Sequence, residues 1–192
     1  MMKPLVTALL FSAALFAQET VLEMDPAQTK VEYTLGDLLH TVHGVFTLKS
    51  GSIHFDPATG KAGGEMVVDA ASGSSGSTAR DHRMHKEILE STKFPDIVFR
   101  PTHVAGRIAP RGTSQVEVHG IFSIHGADHE IVMPAEVDAA GAEYKLFAHF
   151  EVPYVKWGMK NPSNFILRVN DKVEIGIHTV AHSRREMTQA AH

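Results

Sequence analysis

From Thr20 onward the chain repeats one pattern, an apolar residue at every second position. Successive side chains of a strand point to opposite faces, so this period marks strands with one buried face and one wet face. Tyr144, Leu146, Ala148, Phe150 and Val152 form the clearest set, Val173, Ile175 and Ile177 a second, and Val31, Tyr33 and Leu35 a third. Phe46 and Leu48 share a face, and Ile53 and Phe55 resume one. Ser50-Gly51 between them predicts a bulge that shifts the phase, a device of curved sheets. "GGEMVVDAA" reads as a further strand, and "DIVFRPTHVAGRIAP" starts as a strand at Ile97 and bends near Pro101. The turn-rich stretches "DPATGKAGG", "APRGTS", "DAAGAE" and "MKNPSN" separate these runs. Many long strands with few helices predict an all-β antiparallel barrel or sandwich.

One helix interrupts the pattern. Thr78 is placed as its N-cap, and Asp81 three positions on completes a capping-box-like signal. "ARDHRMHKEILE" then sets Met84 and Ile88 on one face, and Pro95 bars continuation. "SGSSGST" before it reads as a flexible loop inside one domain.

Of the 192 residues, 43% are hydrophobic, enough for a single core. A net charge of −4 offers no basic excess to neutralise phosphates, so nucleic acid is not an expected partner. The absence of cysteine removes disulfides, thiolate metal sites and a lipoprotein anchor. Lys3 followed by the apolar run Leu5 to Phe16 and then Ala17 reads as an export signal, residues 1–17. The run is too short for a bilayer span, which needs ~20 residues. No later segment is long and apolar enough to span, and the mature protein is expected to be periplasmic or secreted.

Thirteen histidines raise the question of catalysis or metal binding. Three lie in "VEVHGIFSIHGADHEIVMPAEV", which reads as a hairpin. Val116, Val118, Gly120, Phe122 and Ile124 share one face, as do Ile131, Met133, Ala135 and Val137 on the return strand. A four-residue loop, Gly126 to His129, would pair Phe122 with Met133 and keep the faces matched. That register puts His119 and His125 on the wet face, about 20 Å apart, and His129 in the turn. "HEIVM" has Met133 where a zinc protease has its second histidine, so it is not that motif. His82 and His85 sit i,i+3 on the helix, with Asp81 four positions before His85, and could hold a metal, but no ligand to complete the set is assigned. His40 and His43 lie close together without a further signal. No G-x-S-x-G elbow is present. No catalytic residue and no metal site is therefore assigned.

Five blocks in order resemble the YceI family of exported lipid-binding proteins. They are "HGVFTLKSGSIHFD", "STARDHRMHKEILESTKFPDIVFRP", "VHGIFSIHGADHEIVMP", "FEVPYVKWGMKNP" and "VNDKVEIGIHTVA". Arg80, Asp81 and Met84 fill the family's helix pattern. Phe94, Pro95, Ile97 and Phe99 fill its strand pattern, and Trp157-Gly158 its aromatic-glycine pair. The histidine that the family often carries after its first strand is replaced here by Gly36-Asp37.

The resemblance implies an eight-stranded antiparallel, lipocalin-like barrel with one short helix over residues 18–182, followed by a polar tail, 183–192. It implies no catalysis and no cofactor beyond a bound polyisoprenoid or isoprenoid quinone, held inside the barrel for carriage, storage or stress response. A homodimer is a possibility it raises. Strand phase then nominates Tyr33, Leu35, Phe46, Leu48, Phe99, Phe122, Ile124, Met133, Leu146 and Phe150 as lipid-lining residues. A solid core would use the same residues. Arg80 and Asp81 are expected to brace the helix rather than bind a head group. Two other readings fit the residues, a histidine-rich exported metal-binding protein or metal-dependent enzyme, and a β-domain acting only through protein contacts.

Overall fold

The structure is a computed structural model that describes residues 19–36, 41–165 and 168–186. The expected signal segment 1–17, the family departure at Asp37, and His40 lie outside the described residues. Among the described residues nine strands run in chain order: β1 (Glu19–Met24), β2 (Lys30–Gly36), β3 (Thr41–Phe55), β4 (Ala62–Ser74), β5 (Asp96–Ala105), β6 (Arg111–Ile124), β7 (Ala127–Ala140), β8 (Glu143–Val152) and β9 (Val173–Glu186). Every pairing is antiparallel, and the pairings from β2 through β9 to β3 close on themselves.

Nine segments make a ring eight strands wide because β1 and β2 share one place. β1 pairs with the far half of β3 and the end of β9 (Leu22↔Ile53, Leu22↔Ser183), and β2 pairs with their other halves (Val31↔Phe46, Val31↔Ile177). Between them Pro26–Gln28 forms one 3-10 turn, and Asp25 takes the backbone N–H of Ala27 at 2.8 Å. Proline cannot donate to a ladder, and the aspartate offers the backbone a local partner instead. The first strand therefore breaks and resumes in line. Among the described residues no helix is long and apolar enough to cross a membrane.

The phase shift expected at Ser50-Gly51 and the bend expected near Pro101 both coincide with slips of register. The β3–β4 ladder slips between Leu48 and Ser50, and the β5–β6 ladder slips between Pro101 and His103. Each extra residue bends its strand, which a closed barrel needs.

The β6–β7 hairpin departs from its expected register. Ile124 pairs with Ala127 across a two-residue turn, His125-Gly126, and Phe122 pairs with His129 instead of Met133. Both turn residues have positive φ, 53° and 77°, the geometry whose twist matches the strands. Histidine is among the few side chains that tolerate this region. The slip is four residues, an even number, so Phe122, Ile124 and Met133 keep their inward face. His125 moves from the wet face of a strand into the turn. His129, expected in the turn, becomes a strand residue facing inward. His119 stays on the outer face, with its ring 6.0 Å from that of His103.

The helix also starts one residue earlier than expected. Ser77 is the cap, α1 spans Thr78–Arg83, and the last turn, Met84–Ile88, widens to π geometry. Asp81 does not close a capping box on Thr78. It reaches back to the backbone N–H (2.9 Å) and hydroxyl of Ser75 in the loop before the helix. At the C-terminus β9 continues to Glu186, so Ser183 to Glu186, read as tail, pair with β1.

Candidate functional site

The interior of the ring has two unlike halves. Toward the end where β1 begins, buried side chains, Leu22 and Phe55 among them, fill the space. Val116, Ala135 and Val137 form one buried cluster, with Ala139 and Ala181 buried nearby. At the opposite end the side chains stand further apart and leave a cavity of about 530 Å3. That volume lies within the range of small-molecule sites. Its walls carry Val31, Tyr33, Leu35, Phe46, Met66, Val68, Phe99, Phe122, Ile124, Phe150, Ile175 and Ile177.

The alternation explains the walls. Ile175 and Ile177 of β9 pair with Phe150 and Ala148 of β8 and with Tyr33 and Val31 of β2, so one inward row crosses three strands. Tyr33 meets Phe46 with ring centroids 5.4 Å apart, and Phe122 meets Phe150 at 5.9 Å, edge to face. Gly44 lets these rings settle, because a Cβ there would lie 2.3 Å from the Tyr33 ring. Burial pushes the Tyr33 phenol up, against a hydrogen bond with Ser75 that pulls it down.

Three segments frame the mouth. The first is the helix, which contributes Ala79, Arg80, Arg83, Met84 and Ile88. The second is the β2–β3 hairpin, with Gly36 and Val42, and the third is the β8–β9 connection, with Tyr154, Pro162 and Val169. Arg80 donates Nε to the Ser75 hydroxyl at 2.7 Å and a terminal nitrogen to the Ser75 carbonyl at 3.1 Å. Arg80 and Asp81 thus fasten the same loop residue, as a brace would. Glu87 joins the helix to the β8–β9 connection through Lys160 at 3.2 Å. Glu90, at the helix end with φ 46°, bonds His125 in the hairpin turn at 2.7 Å. The Phe94 ring covers that histidine at 4.8 Å. The Tyr154 hydroxyl donates to the Asn170 carbonyl at 2.6 Å, and burial first, then Asp171, pushes its pKa up to about 12.

A second aromatic group backs the wall. The β7–β8 ladder ends at Ala135↔Ala148, although both strands continue toward the mouth. Beside this parting Trp157 stacks flat on His129, with centroids 4.0 Å apart, and lies 5.8 Å from Phe122. His129 Nε2 is buried with no hydrogen-bond partner. Burial holds its imidazole below the ordinary value, against the opposite pull of Asp128.

The family of YceI-like domains matches residues 22–181, from the first strand to the last. This chain belongs to the YceI-like family. A UPF0312 protein of Vibrio cholerae is 28% identical over 130 residues, which are 66% of this chain and 67% of that one. The crystal structure of Burkholderia cenocepacia BcnA has a TM-score of 0.69 at 20% identity, covering 82% of this chain and 98% of that one. A polyisoprenoid binding domain from Saccharophagus degradans, implicated in plant cell wall breakdown, has a TM-score of 0.66 at 12% identity, covering 85% and 98%. These likenesses support the same fold.

Within this YceI-like barrel the ten nominated lining residues divide. Tyr33, Leu35, Phe46, Phe99, Phe122, Ile124 and Phe150 border the cavity. Leu48 and Met133 are buried in the packed core, and Leu146 packs partly buried against it. Strand phase gives the face a residue takes but not its height along the barrel, and these three sit away from the cavity. The walls contributed by Met66, Val68, Val173, Ile175 and Ile177 were legible as strand faces in the sequence yet not singled out. The Trp157–His129 stack left no sequence signal, since it joins a loop to a strand residue that had been placed in a turn. His85 donates from Nε2 to the Gly73 carbonyl at 2.8 Å. Among the described residues neither it nor His82 gathers a third ligand.

Proposed function

We propose that this YceI-like protein is an exported, non-catalytic binding protein. It holds one long apolar lipid, a polyisoprenoid or an isoprenoid quinone, in the wide end of its barrel for carriage, storage or stress response. The observation that carries this reading is the cavity itself, walled by aliphatic and aromatic side chains in the half of the barrel away from the packed core. A long isoprenoid hides several hundred Å2 of apolar surface. At ~25 cal/mol per Å2 its removal from water contributes on the order of 10 kcal/mol before association costs. Apolar lining therefore suffices for retention, and a catalytic group is not required. The polar end of the lipid would face the mouth, where Ser77, Arg80 and Arg83 stand. The name of the Saccharophagus degradans neighbour supports the lipid class. Export rests on residues 1–17, and the periplasm as its destination rests on the family resemblance.

Trp157 is the single tryptophan of the chain and lies 5.8 Å from Phe122, a cavity residue. A polyprenyl quinone added to lipid-free protein should quench its fluorescence to saturation at one equivalent. An unchanged spectrum at excess quinone, with no quinone co-eluting, would count against the reading.

A further inference from the structure

The helix at the mouth turns one face to the cavity, and that face changes character along its length. Residues three and four apart share a helix face, so Arg80, Arg83 and Met84 stand together, and all three line the cavity with Ile88. Met84 and Ile88 pack against the apolar core. Arg80 is exposed and Arg83 half-buried, while Leu89 at the far end of the helix is buried. An apolar cavity therefore ends at two guanidinium groups. Among the described residues these arginines are the only charged side chains that line it, and no aspartate or glutamate does.

Their protein partners leave donors over. The brace to Ser75 uses Nε and one terminal nitrogen of Arg80, and its other terminal nitrogen donates to no described residue. Arg83 meets Glu87 Oε2 through Nε alone, at 3.5 Å, and its two terminal nitrogens donate to no described residue. Lys160, from the β8–β9 connection, shares that same carboxylate oxygen at 3.2 Å, so one anion faces two cations. The Asp81 carboxylate beside Arg80 accepts from Ser74 and Ser75 instead. Arg80, Arg83 and Lys160 against Asp81 and Glu87 leave the mouth with an excess of positive charge.

We propose that the mouth selects a lipid with an anionic head group, a phosphate or a carboxylate, held by the terminal nitrogens of Arg83 and the remaining one of Arg80. The inference rests on the lipid-binding function proposed above and narrows it to long apolar chains that end in an anion. Arginine stays charged, and its planar fork matches the oxygens of carboxylate and phosphate. A lipid that fills the cavity lays its head over these groups and takes water from them. A neutral head leaves both charges poorly compensated, whereas an anion replaces the lost water with charge-assisted hydrogen bonds. The apolar cavity holds the chain, and the arginines discriminate between heads.

The test offers the lipid-free full chain two matched pairs, farnesyl phosphate with farnesol and myristate with tetradecanol. Binding is read by displacement of the neutral fluorophore N-phenyl-1-naphthylamine and, independently, by mass spectrometry of lipid that co-elutes with the protein in gel filtration. Each anion should bind about tenfold tighter than its alcohol, as charge-assisted hydrogen bonds allow, and the preference should shrink as salt is raised. Comparing the two anions tells a phosphate head from a carboxylate one, and inorganic phosphate alone should displace nothing. Arg83→Gln should remove most of the preference, and Arg83→Lys, which keeps the charge and loses the fork, should fall between. Arg100→Gln, which removes a cation paired with Glu65 on the outer wall, should keep the parental preference. Alcohols that bind as tightly as their anions, or an undiminished preference in Arg83→Gln, would overturn the proposal and leave the lipid-binding function standing. Binding of neither anions nor alcohols would overturn both.

Discussion

Replacing Phe122 by alanine separates a cavity wall from an ordinary core. Phe122 is 8% exposed, meets Phe150 and Trp157 at 5.9 and 5.8 Å, and borders the cavity. Truncating a buried phenylalanine costs about 3–5 kcal/mol. The cavity takes the place of packed neighbours on one side of this ring, so the low end applies, about 3 kcal/mol. For a domain of this size that lowers Tm by about 6–12 °C. If ~50 Å2 of the ring faces the lipid, ~25 cal/mol per Å2 gives a further loss of about 1.2 kcal/mol in lipid affinity, nearly tenfold. Met133 is the matched control. It is 4% exposed in the same core but off the cavity, and Met133→Ala should cost about 2–5 kcal/mol of stability with lipid retention unchanged. The assay is thermal unfolding by circular dichroism beside lipid per mole of purified protein. The reasoning is refuted if Phe122→Ala lowers Tm and keeps its lipid, or if Met133→Ala loses lipid to the same extent.

Other perturbations test other parts of the structure. Gly126→Ala puts a Cβ at φ 77°, 2.4 Å from the Phe94 ring, and should destabilise by at least ~1 kcal/mol in a denaturant titration. Tyr154→Phe leaves the Asn170 carbonyl without its donor at 2.6 Å and should cost about 1–3 kcal/mol by the same measurement. His129 gives a pH dependence of known sign. Burial holds its folded pKa below the unfolded value, so the unfolded chain takes up the proton first. Its contribution is present above ~6.5 and is lost as pH falls from there toward the folded value. His129→Phe, which keeps an aromatic ring against Trp157, should therefore flatten the fall of Tm below about pH 6.5; an unchanged slope would remove His129 from the account.

Much of the barrel was legible because its physics has period two. Each strand separates an inner face from an outer one, so the apolar residues of β2, β8 and β9 announce the interior directly. The same parity protected the face assignment of β6 and β7 from an error of register. A slip of four residues moved every partner of Phe122 and Ile124 without turning either outward. The error arose because His125-Gly126 lacks the asparagine that usually marks a two-residue turn, although histidine can adopt the same positive φ. The break between β1 and β2 was equally hidden, since only the shared partners β3 and β9 show that two segments fill one strand position. Which apolar residues border empty space was beyond the pattern. Leu48 and Phe46 have the same phase and similar size, but only Phe46 stands at the height where the barrel widens.

The central claim is that this barrel end holds a long apolar lipid. Native protein purified from the cells that make it, extracted with organic solvent and analysed by mass spectrometry, tests that claim most directly. The account predicts a polyisoprenoid or isoprenoid quinone near one equivalent per chain. Well-folded native protein that yields no such lipid, and takes up none when it is supplied, would contradict it.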